Sequence, residues 1–211
     1  MRITVYSAKG SAGKTPIATN IALDREYAIG TNEHFHVFDG FIPDDRLLIL
    51  EGNQSFPEIP QNIDIVFDLA GSITENSLSI ISALKQSELV IVPIFNEVKC
   101  LNSGIGTIRE IARFTTNILV VATKLQRHRK DHFTDDWTQG EDFKNIKERV
   151  SENIDFPVTI LPLRFSTAFD AIFEKELSIR QIMEADPLAR YSYREVSNQF
   201  DEIYKYIDER I

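Results

Sequence analysis

The chain has 211 residues, 43% of them hydrophobic and 26% charged, enough apolar content for a sizeable core. Its formal net charge of −9 excludes a bulk basic field for nucleic acid, so any such contact needs a local patch. A single cysteine, Cys100, excludes an internal disulfide and a cysteine-held metal cluster; with no long apolar run and no leader-like start, the expectation is a soluble cytoplasmic protein.

The predicted elements alternate. A short apolar run at residues 3–5 reads as a strand, and residues 16–27 carry a helical pattern. A second strand is expected at residues 36–38. Residues 41–62 break the rhythm with Pro43, Pro57 and Pro60 and a short apolar run at 47–50. Strands follow at 63–69, 89–95, 118–122 and 158–161, and helices at 75–86, 103–114, 143–153, 167–174 and 187–210. Residues 126–140 are polar and loop-like. The strands are short, rich in Val and Ile and mostly not alternating, as in strands buried on both faces. The expected fold is α/β: a mostly parallel β-sheet flanked by helices, with residues 1–211 forming a single domain.

Between the first strand and the first helix lies Lys9-Gly10-Ser11-Ala12-Gly13-Lys14-Thr15. Strand, glycine-bearing loop and helix are the context a phosphate loop requires. In such a loop the backbone N–H groups surround a phosphate, and the helix N-terminus adds partial positive charge. Lys14 would reach the β- and γ-phosphates, and the Thr15 hydroxyl would ligate Mg²⁺. Ala8 stands where the usual pattern has glycine, and Lys9 adds a second lysine. Two carboxylates, Asp39 and Asp68, each follow an apolar run, at the ligand-facing end of an expected strand. Asp68 would hold Mg²⁺ through a coordinated water. Asp39 would hold a second metal water or orient the attacking water. Alone, each carboxylate fits a strand-terminal turn better; the loop upstream reverses that preference toward the ligand role.

The loop at residues 9–15, Asp39 and Asp68-Leu69-Ala70-Gly71-Ser72 together resemble the deviant-Walker ATPases of the ParA/MinD superfamily. Residues 83–94 are similar to the strand region after the second acidic motif of ParA proteins. Leu161-Pro162-Leu163-Arg164 and Ala168-Phe169-Asp170-Ala171 resemble the last-strand segment of small ParA proteins. The resemblance implies a P-loop NTPase architecture, ATP and Mg²⁺ as cofactors, and a homodimer that forms on ATP binding. In that dimer Lys9 reaches the phosphate held by the other subunit, as an arginine finger worth ~10³–10⁵ in rate does. It further implies slow, partner-stimulated ATP hydrolysis acting as a switch in plasmid or chromosome partitioning. A ParB-like or other DNA-binding adaptor and non-specific DNA are the implied partners, with nucleoid association. Carried onto this chain, catalysis falls to Lys9, Lys14 and Asp39. Nucleotide binding falls to Lys9, Gly10, Ser11, Ala12, Gly13, Lys14, Thr15, Pro16 and Lys124, and Mg²⁺ to Thr15, Asp39 and Asp68.

The chain departs from the family pattern at two places. Ser11 stands where glycine is usual, and serine is strained if φ is positive there. Phe41 replaces a second acidic residue, which questions fast hydrolysis. Two alternatives therefore stay open: a weakly hydrolysing nucleotide-dependent binding module, and a metabolic P-loop kinase or ligase. Lys124, Arg127, Arg129 and Lys130, with His128 and His132, form a basic run that suits either phosphate contacts or a solvated loop. Arg164 and Arg180 are further candidates for a basic surface. The last predicted helix carries Asp201, Glu202, Asp208 and Glu209, which anionic lipid repels, so packing rather than membrane contact is expected.

Overall fold

The computed structural model describes residues 1–33, 35–50, 54–70, 77–128 and 136–210. Seven strands form one parallel sheet: β1 (Arg2–Tyr6), β2 (Ala28–Thr31), β3 (Leu47–Ile49), β4 (Ile65–Leu69), β5 (Leu89–Ile94), β6 (Ile118–Leu125) and β7 (Thr159–Arg164). Their order is β3-β2-β4-β1-β5-β6-β7. Seven helices cover it: α1 (Lys14–Arg25), α2 (Leu78–Gln86), α3 (Val98–Ile111), α4 (Glu141–Asn153), α5 (Ala168–Lys175), α6 (Ile179–Ala185) and α7 (Pro187–Asp208). The expected α/β class and parallel sheet are those observed.

Alternation along the strands divides the core in two. Tyr6, Phe67, Leu69, Val90, Val92 and Val120 pack with α2, α3 and α4. Ile3, Val5, Ile29, Val66, Ile91, Leu119 and Val121 pack with α1, α5, α6 and α7. Every residue of β4 and β5 is buried, which is why these strands read as unbroken apolar runs. The single polar side chain in those two strands is Asp68, on the α1 face with Val66.

One predicted strand is wrong. Residues 36–38 are not a strand; β2 is Ala28–Thr31, directly after α1. Helix α1 stops at Glu26, whose φ of 56° is left-handed, and the chain enters the sheet at once. Ile29 and Thr31 are fully buried there, whereas Phe35 is 90% and Val37 50% exposed. Of the expected strand, Phe38 and the His36 side chain stacked on it pack inward, and Val37 does not. Helix α3 starts five residues before its expected position, and α6 was not foreseen, although Ser178 and Gln181 form the capping box that begins it. The expected start of the second helix, Glu75 and Asn76, lies outside the described residues.

Candidate nucleotide-binding site

The loop after β1 emerges at the centre of the sheet, between the ends of β4 and β5. Its base is tied to neighbouring elements. The Ala8 N–H donates to Thr107 Oγ1 at 3.3 Å, which fastens the loop to α3. The Thr123 hydroxyl donates to the Ala12 carbonyl at 2.9 Å, which fastens it to β6. Between these anchors Ser11 has φ 61° and Gly13 φ 96°. Gly13 accepts that geometry freely; Ser11 adopts it with a Cβ, so the strain anticipated for serine is present. Two left-handed residues in a seven-residue stretch curl the backbone into a concave loop.

Gly13 is also the N-cap of α1. Among the described residues no side chain caps this helix end, and no acidic residue lies in its first turn. Its first amides are therefore free for an anion. Helix α1 packs against β1 and β4, so its N-terminus is held rigidly over the sheet's centre.

The two loop lysines lie in different surroundings. Lys14 is 8% exposed, and its charge acts on Asp68. Lys9 is half-buried, and its charge reaches the buried Cys100 thiol at the start of α3. Asp68 pairs in register with Val5 of β1 and with Thr31 of β2 and is 1% exposed. Neither of its carboxylate oxygens has a hydrogen bond of good geometry among the described residues. Burial pushes its pKa up to about 7; Glu33 adds to the rise, while the Thr15 hydroxyl and Lys14 pull it down. An orphaned carboxylate beside a threonine hydroxyl fits the water shell of a Mg²⁺ ion whose remaining ligands come from phosphates. Among the described residues no cluster of three His, Cys, Asp or Glu side chains could hold a metal unaided.

Asp39 does not join this group as a strand-end residue. It sits in an exposed turn, its side chain 84% accessible, with Oδ1 3.8 Å from His36 Nε2. The strand end it was expected to occupy belongs to Asn32 and Glu33. The Asn32 side chain accepts from the Ala70 N–H at 2.8 Å and donates to the Ala70 carbonyl and Ser79 Oγ, both at 3.1 Å. Glu33 is the carboxylate whose charge reaches Asp68. Its backbone N–H donates to Thr31 Oγ1 at 3.1 Å. Both residues were missed because the four-residue strand before them contains Gly30. The signal was the apolar run resuming immediately after α1, where connections in α/β units are short.

Beside the loop, a cavity of about 170 Å³ is lined by Gly13, Pro16, Ile17, Thr123, Lys124, Leu163, Phe165, Ser166, Phe169 and Asp170. It brings two expected nucleotide-binding residues distant in sequence, Pro16 and Lys124, to one wall. Lys124 lies at an irregularity of β6, with φ 54° and its ammonium 4.5 Å from the centre of the Phe95 ring. Two roomier cavities, about 640 and 550 Å³, contain no loop residue.

The fold is that of McdA, MinD and plasmid partition proteins. No protein-family model and no curated protein matches the chain. Among solved structures, a variant of Cyanothece McdA in complex with ATP is 11% identical, with 99% of this chain and 96% of that one aligned at a TM-score of 0.65. The septum site-determining protein MinD of Pyrococcus horikoshii, complexed with Mg-ADP, is 13% identical over 96% of both chains, at a TM-score of 0.58. A plasmid partition protein of Borrelia burgdorferi bound to AMPPNP is 12% identical over 95% of this chain and 98% of that one, with a TM-score of 0.50.

The basic run is divided. Arg129, Lys130 and His132 lie outside the described residues, as do Gly71, Ser72 and His34. Arg127 and Arg164 both pair with Glu195 and lie over the Trp137 ring. His128 lies 3.0 Å from Asp142, and Arg180 pairs with Asp24 and Asp201. No helix among the described residues is long and apolar enough to cross a membrane.

Proposed function

We propose that this chain is a Mg-ATP-dependent switch of the ParA/MinD kind that dimerises on ATP and hydrolyses it slowly. One observation carries the reading: a concave glycine-bearing loop opens α1, near a buried carboxylate whose oxygens have no hydrogen bond of good geometry among the described residues. The solved structures of this fold with ATP, Mg-ADP and AMPPNP support a nucleotide as the occupant. The loop amides and Lys14 bind the β- and γ-phosphates. Thr15 and Asp68 hold Mg²⁺, Asp68 through a water. The ion neutralises charge on the transferring phosphoryl group. Glu33, half-buried and with its charge felt at Asp68, takes over the water-orienting role first read at Asp39.

Lys9 serves the partner subunit's phosphate in this reading. Exposed apolar side chains stand on segments that follow the strand ends: Phe35 after β2, Leu78 opening α2, Val98 opening α3 and Phe165 after β7. A second copy seated there would cover them. Hydrolysis would remove the γ-phosphate contacts and release the dimer. Partition of a plasmid or other cargo, with a ParB-like adaptor and non-specific DNA, is the process such a timed switch suits. The residues free for DNA contact include Arg190 and Arg194, exposed on α7.

Light scattering with and without Mg-ATP, together with phosphate release, tests the proposal. Wild type is expected to dimerise with ATP and not with ADP, Lys14→Ala to do neither, and Lys9→Ala to bind ATP yet lose at least about a hundredfold in turnover. A monomer without turnover under all conditions refutes it. The Asn32 side chain, spent on Ala70 and Ser79, favours a second reading: a module that binds ATP and scarcely hydrolyses it. Partner-stimulated phosphate release that Lys9→Ala abolishes excludes that reading.

A further inference from the structure

The loop fixes where phosphates bind, and so restricts where a base can lie. The 170 Å³ cavity shares Gly13 and Pro16 with the loop and its helix. Its apolar wall is built from Pro16, Ile17, Leu163, Phe165 and Phe169. Flat π faces and aliphatic edges of this kind suit one heteroaromatic ring system.

The polar groups on the wall are mostly engaged. The Thr123 hydroxyl proton goes to the Ala12 carbonyl at 2.9 Å. Ser166 Oγ accepts from the Ala168 N–H at 3.1 Å. The Lys124 ammonium rests over Phe95. Asp170, at the start of α5, is the one carboxylate of the lining and makes no ion pair or side-chain hydrogen bond with a described residue. An ionised carboxylate only accepts hydrogen bonds. A base edge beside it must present N–H, and a carbonyl oxygen placed there would be repelled.

We infer that Asp170 is a specificity-determining residue that reads an exocyclic amino group on the purine of the bound nucleotide. The inference rests on the nucleotide reading above and extends it from the phosphates to the base. Both adenine and guanine carry such a group. Adenine offers its amino group beside a ring acceptor; guanine offers an amino group beside a ring N–H.

Titration calorimetry with Mg²⁺ and two nucleotide pairs separates the cases. ATP against purine riboside triphosphate removes adenine's amino group; GTP against ITP removes guanine's. Wild type is expected to favour the amino-bearing member of one pair by about tenfold or more. Asp170→Ala is expected to bring that ratio close to one, leaving the affinity for the amino-free member unchanged. The pair that responds names the base. A ratio that Asp170→Ala leaves intact, or a wild type that discriminates within neither pair, overturns the inference while nucleotide binding stands. A wild type that binds none of the four overturns the nucleotide reading as well. Asp170 is exposed, so the variant should fold, and its melting temperature checks this.

Discussion

Asp68 lies almost wholly out of water, and its ionisation is therefore coupled to folding. Burial raises its pKa from the ordinary 3.8 to about 7 in the folded chain. Between those values the folded state holds a proton that the unfolded state has released. Stability contributed by this group is thus present at low pH and lost as pH rises toward 7. In protein free of nucleotide and divalent cation, wild type should lose up to about 1.4 kcal/mol per pH unit across that window. Asp68→Asn should flatten the slope and melt higher than wild type at pH 8, although under the proposed function it would weaken Mg²⁺-dependent nucleotide binding. Denaturation at pH 5 and pH 8 checks it; identical slopes for the two proteins would refute the assignment. Ser11 makes a second prediction. Its φ of 61° costs an L-residue about 1 kcal/mol that glycine avoids. Ser11→Gly should raise the unfolding free energy by a fraction of that, because glycine also gains freedom in the unfolded chain. The residues of this loop were legible from their spacing alone. The family's glycine at that position made strain at Ser11 conditional on a positive φ, and the structure supplies that φ. The orphaned state of Asp68 was not legible, because it depends on what β1, β2 and α1 leave uncovered.

Among the elements, α3 offers a controlled comparison. An added Cβ at Gly104 would stand 2.6 Å from Ile94 Cδ1 of β5, whereas at Gly106 it would meet nothing within 4 Å. Alanine improves helix propensity by about 1 kcal/mol at either site. At Gly104 overpacking against Ile94 should outweigh that gain, with a net loss of about 1 kcal/mol or more. Gly106→Ala should be neutral to stabilising. Opposite shifts in melting temperature are the expected result; equal shifts would mean that α3 does not seat tightly on β5. The strands that sequence reading located best, β4 and β5, are buried along their whole length, so composition alone marks them. Strand β2 was misplaced because it is short and contains Gly30, while His36, Val37 and Phe38 offered a more apolar run. Burial chose the earlier segment: Ile29 and Thr31 fit beneath α1, and Val37 faces solvent. That change moved the second strand end from Asp39 to Asn32 and Glu33. Helix α6 carried its own signature, Ser178-Ile179-Arg180-Gln181, and was legible in principle.

For the whole molecule, the net charge of −9 would confine any nucleic-acid contact to a local patch, and pairing narrows the candidates further. Glu195 occupies Arg127 and Arg164, and Asp24 and Asp201 occupy Arg180. A polar network joins α1 to the C-terminal helices: the Asn20 side chain donates to the Tyr204 hydroxyl at 3.0 Å and accepts from the Ile179 N–H at 2.8 Å. The helix that carries the loop is thereby fixed to the layer formed by α6 and α7. Sequence by itself determined the α/β class, the parallel sheet and the strand–loop–helix unit, because periodicity, glycine spacing and the threonine after Lys14 are local properties. Tertiary structure alone decided which strand ends meet the loop. It brought the charge of Glu33 to bear on Asp68, left the Asp68 oxygens without a hydrogen bond of good geometry among the described residues, and gathered Pro16, Lys124 and Asp170 around one cavity. Those relations join residues tens of positions apart, and strand order in a parallel sheet is fixed by which faces can be buried together, not by neighbours along the chain.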